Sequence, residues 1–60
     1  MIRIVKTNGQ YYGRDVNIHD EDEIENIEIF VNEGVPVILV ENLDDLKVLY
    51  DIDKKDIKMI

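Results

Sequence analysis

Cysteine is absent from this 60-residue chain, and so are alanine, serine and tryptophan; histidine, proline and threonine occur once each. No disulfide can staple the fold. A zinc site needs Cys or several His ligands, so we expect no metal. Without Ser or Cys, and with Thr7 alone among hydroxyl nucleophiles of that type, covalent catalysis is poorly supplied, and we expect no catalytic residue, no cofactor and no enzyme activity. The longest apolar run, Val35–Val40, falls far short of the roughly 20 residues of a spanning helix. No signal or transit peptide is visible. The expected setting is the cytoplasm, with no membrane association.

What is present is acid and isoleucine. The net charge is −7, and its placement matters more than its sum. Residues 1–14 hold Arg3, Lys6 and Arg14 and no acid, whereas residues 15–46 hold eleven acids and no Lys or Arg. Such a field repels nucleic acid and attracts basic partners. With 45% hydrophobic residues the chain reads as one globular domain, residues 1–60. A chain this short buries only about 60% of its unfolded surface and is marginally stable alone.

The organising stretch is Asp20–Val40. Asp20 suits a helix N-cap, with Glu23 three residues on as in a capping box. Acids at 21, 22, 23 and 25 favour the positive end of the helix dipole. Ile24, Ile27, Phe30 and Val31 fall on one face, and Gly34 and Pro36 are stop signals. A hairpin competes for 21–33: Ile27, Ile29 and Val31 alternate with Glu28 and Phe30, around an Asn32-Glu33-Gly34 turn.

Before this stretch, Ile2–Thr7 reads as strand, Asn8-Gly9 as a type I′ turn and Gln10–Ile18 as the returning strand. Gly13 marks a bulge or a close backbone approach. After it, Val35–Glu41 reads as a strand buried on both faces, Asn42–Asp45 as a turn and Leu46–Ile52 as a further strand. Asp53–Asp56 suits a turn or single 3₁₀ turn before a short strand at Ile57–Ile60. The expected fold class is α+β, a small antiparallel sheet with one helix in the order ββαββ plus a short terminal strand. Val5, Ile38, Val40 and Leu49 would then occupy the uncovered face. That much aliphatic surface calls for a homo-oligomer interface or closure of the sheet into a barrel.

Part of the chain resembles small SH3-like and Sm-like barrels. The residues that carry this are Ile2–Gly9, Gly13, Asp20, Asn26 and Ile27, with the closing stretch Tyr50–Ile57. The resemblance implies an all-β SH3-like barrel as the alternative fold and contact with RNA bases, which the acids in the corresponding loop oppose. In size, acidity and coding bias the chain also resembles small phage-encoded proteins that inhibit host enzymes or defence systems.

Two binding surfaces emerge. The acidic face at Glu21, Asp22, Glu25 and Glu28 suits docking on a basic surface of a larger protein, to inhibit or regulate it. Tyr11, Tyr12 and Arg14 suit the alternative, an oligomeric protein that sequesters a small anionic, nucleotide-like ligand. His19, beside Asp20, reads as a loop residue next to a helix cap. The Asp20–Glu25 carboxylates read as a solvated helix start.

Overall fold

The computed structural model describes residues 1–60. Strand β1 is Ile2–Thr7, β2 Gln10–Asp15, helix α1 Glu21–Asn32, β3 Val37–Val40, helix α2 Asp44–Tyr50 and β4 Ile57–Met59, with a 3₁₀ turn at Lys54–Asp56 before β4. The sheet order is β3-β1-β2-β4. The fold is a small α+β fold, as the sequence indicates, but the sheet is mixed. β1 is antiparallel to both β2 and β3, while β4 runs parallel to β2. The sheet is open, with β3 and β4 at its edges, so the barrel alternative does not hold.

The hairpin forms where expected. Asn8 and Gly9 both have positive φ, 53° and 78°, as a type I′ turn requires. The register is continuous from Ile2↔Asp15 to Thr7↔Gln10, so Gly13 marks no bulge. It marks a close approach: a Cβ there would lie 3.0 Å from Ile4 Cδ1 and from Ile57 Cγ2, and 2.6 Å from Met59 Sδ.

Residues 21–32 are helical, with Glu33 as the C-cap, and form no hairpin. The Asp20 side chain accepts a hydrogen bond from the Asp22 N–H. At the other end Gly34 takes a positive φ and Val35 N–H donates to Phe30 O, a glycine-terminated helix end that satisfies a last-turn carbonyl. Val37–Val40 is an edge strand and not a doubly buried one: Val40 is buried, whereas Leu39 is exposed. The strand covered on both faces is β1, whose consecutive residues Arg3, Ile4 and Val5 are all buried.

The largest correction is Leu46–Ile52, where α2 replaces the expected strand. Asn42 Oδ1 accepts from the Asp44 N–H and so caps the helix start, Asp44 and Asp45 occupy the first turn, and Lys47 pairs with Asp51 one turn on. These local terms favour helix over the Leu46/Val48/Tyr50 alternation. Asp51 closes α2 in the left-handed region, φ 58°.

That helix changes the account of the second face. Ile2, Ile4, Tyr11, Ile38 and Val40 share one sheet face with Ile57, and Leu46 of α2 packs into their core, with Leu43 and Ile52 beside it. The opposite face carries Arg3 and Val5, with α1 over it through Glu23 and Phe30. The two crossovers run in opposite directions across the sheet, β2 to β3 and then β3 to β4. Connections of one hand therefore put their helices on opposite faces. Val5, Ile38, Val40 and Leu49 thus form no common patch. Val5 lies under α1, Ile38 and Val40 belong to the α2 side, and Leu49 is exposed on α2 itself. The two helices of the chain thus cover Val5, Ile38 and Val40, for which a homo-oligomer or a closed barrel was expected, and leave Leu49 exposed.

Candidate functional site

Helix α1 carries the acidic face. At 100° per residue, Glu23, Ile27 and Phe30 point to the sheet, while Glu21, Glu25, Glu28 and Asn32 line the outer side. Glu21, Asp22, Glu25 and Glu28 are exposed, and none enters an ion pair within the chain. Ile29 projects among them and is 46% exposed. Ile24 and Val31, on the flank of the helix, are exposed as well, and no α1 residue is fully buried. The surface is therefore a stripe of free carboxylates around and beside aliphatic groups.

Glu23 behaves differently from its neighbours. It does not close a capping box on Asp20, whose N–H bonds to Asn17 O. Its carboxylate turns inward, with Oε2 accepting from Arg3 Nη1 at 3.1 Å and Oε1 3.9 Å from Arg14 Nη1. Arg3 is buried beneath α1, with its guanidinium carbon 5.3 Å from the Phe30 ring centre. Its Nε has no partner. Arg3 therefore anchors the helix, and Arg14, exposed at the rim, shares that carboxylate.

The proposed ligand trio is not brought together. Tyr12 pairs with Val5 and Arg14 with Arg3, which places both on the α1 side. Tyr11 pairs with Lys6 and Ile57 on the other side. Lys6 Nζ lies 5.1 Å from the Tyr11 ring centre, a cation–π arrangement. Tyr11 borders an open cleft between the Asn8–Gly9 turn and the 3₁₀ turn. Sequence reasoning missed this cleft because its walls lie some 45 residues apart in the chain and meet only through the parallel β2–β4 pairing.

His19 is exposed, and its backbone N–H donates to Asn17 Oδ1 at 3.0 Å. Asp51 and Asp53 both reach Lys47 Nζ, at 2.8 and 3.3 Å. The hydrogen bond that Lys47 donates to Asp51, then that to Asp53, raises the Lys47 pKa. The hydrogen bond from Lys47 lowers that of Asp51. These groups serve each other and hold the α2 terminus. No three His, Asp or Glu side chains converge as a metal site, and no helix is long and apolar enough to cross a membrane. The chain matches no protein-family model, and no curated protein or solved structure matches it.

Proposed function

We propose that this chain is a non-enzymatic binding protein that inhibits or regulates a larger protein by docking the outer face of α1 on a basic surface. The observation that carries this reading is that Glu21, Asp22, Glu25 and Glu28 are exposed and unpaired, while Arg3 and Arg14 are directed to the inward Glu23. Free carboxylates steer a basic partner and set orientation. Ile29, set among them, supplies the apolar contact from which an interface core is built. The resemblance in size and acidity to small phage-encoded inhibitors accords with an inhibitory role.

The test compares tagged wild type with E21K/D22K/E25K/E28K in the cells that make the protein, quantifying co-purified proteins by mass spectrometry. A partner with a basic surface should be retained by the wild type and lost by the variant. It should also dissociate as salt rises from about 0.1 M, where the Debye length is about 10 Å, towards 1 M, where it is about 3 Å. Equal recovery of the same partner by the charge-reversed protein, shown folded by circular dichroism, overturns the reading.

A further inference from the structure

We infer that the cleft between the Asn8–Gly9 turn and the 3₁₀ turn binds a nucleotide, with its phosphates on Lys55 and Lys58. This cleft is separate from the acidic face. The cleft has a volume of about 610 Å³, within the range of small-molecule sites. Its walls are Gly9–Tyr11 on one side and Lys55–Lys58 on the other.

Most of the basic side chains are already paired within the chain. Arg3 and Arg14 face Glu23, Lys47 is held by Asp51 and Asp53, and Lys54 is paired with Asp44. The basic side chains without an ion pair are Lys6, Lys55 and Lys58. Two line the cleft, and Lys6 lies over the ring of Tyr11, which also lines it. In a chain of net charge −7, two of the three unpaired lysines thus line this one cleft. The first turn of α1 follows the far end of β2, so the densest acids lie at the opposite end of the sheet from this cleft. Lysine ammonium groups act as point charges suited to phosphate.

The other polar groups make the cleft selective for more than charge. Gln10 Nε2 donates to Tyr11 O at 2.9 Å and to Asp56 O at 3.0 Å. Both amide hydrogens are used, one within its own wall and one across to Asp56 O, which leaves Gln10 Oε1 as an acceptor. The Asp56 carboxylate, a second acceptor, pairs with no cation. It opposes a bare anion but accepts from hydroxyl or amino donors. A ligand that fits carries phosphate for the lysines and hydroxyl or N–H donors for these acceptors, which is the chemistry of a nucleoside phosphate.

The test is an amide ¹H–¹⁵N titration of the full chain with ADP, set against pyrophosphate and inorganic phosphate. Saturable shifts at Gly9, Gln10, Tyr11, Lys55, Asp56 and Lys58 are expected with ADP, and weaker ones with pyrophosphate. K55E/K58E should weaken ADP binding at least about tenfold, and the milder K55A/K58A should do so in the same direction. E21K/D22K/E25K/E28K should bind ADP no less tightly than wild type, which separates this site from the acidic face. No saturable shift at the cleft with about 10 mM ADP overturns the inference, since a Kd above that lies outside specific small-ligand binding. So does a pyrophosphate response equal to that of ADP, which would show attraction of anions without recognition of the nucleoside.

Discussion

Arg3 in the central strand and Glu23 in the first turn of α1 meet at 3.1 Å under the helix, with side chains only 7% and 14% exposed. The pair joins β1 to a helix that buries no residue completely. Removing one partner of a buried pair costs about 3 kcal/mol or more, because the other charge is left without compensation. Glu23→Ala should therefore lower stability by about 3 kcal/mol in urea unfolding. Arg3→Met combined with Glu23→Leu should be less damaging than Glu23→Ala alone. A double variant no more stable than the single one would mean that the pair itself, and not the orphaned charge, dominates.

Gly13 is the second sensitive point. An added methyl group would press on Ile4 Cδ1 and Ile57 Cγ2 at 3.0 Å and on Met59 Sδ at 2.6 Å. Met59 is exposed and can turn aside, but Ile4 and Ile57 are core residues. Gly13→Ala should cost about 1–2 kcal/mol by overpacking, detected as a lower thermal midpoint with β4 amides exchanging faster. An unchanged midpoint would show that β4 shifts freely.

Val48 distinguishes helix from strand at 44–50 by the sign of one substitution. It is 83% exposed on α2, so its replacement loses little packing. Alanine is the better helix former and valine the better strand former. Val48→Ala should stabilise the protein by about 0.5 kcal/mol, measured by chemical denaturation. A loss of similar size would argue for the extended form.

The Lys47–Asp51 pair predicts a pH window. Asp51, whose pKa is lowered in the fold, contributes above the ordinary carboxylate range and loses that contribution as pH falls through its depressed value. Lys47, whose pKa is raised, contributes below its ordinary value and loses that as pH climbs through the raised one. The difference in thermal midpoint between wild type and Lys47→Met should thus be flat from about pH 5 to 9. It should shrink below about pH 4, and also in 1 M salt, because both groups face solvent. A difference that persists unchanged at pH 2 would locate it in packing of the Lys47 stem instead.

The sequence by itself determined what depends on neighbours in the chain. Asn8-Gly9 specified the turn because its backbone needs positive φ at both positions. Asp20 and Gly34 bounded α1 because caps act on amides and carbonyls a few residues away. The segregation of acid between residues 15 and 46 was likewise plain. At Leu46–Ile52 two local signals competed, and alternation concealed an Asn42-capped helix. Only the tertiary structure decided the rest. The edge position of Val37–Val40, the inward turn of Glu23 to Arg3, and the meeting of Gln10 with Asp56 depend on strand order and on which face each helix covers. Period-2 and period-3.6 patterns show that a residue has a buried side. They do not show what lies on that side, because crossovers bring together segments whose separation in sequence carries no local signal.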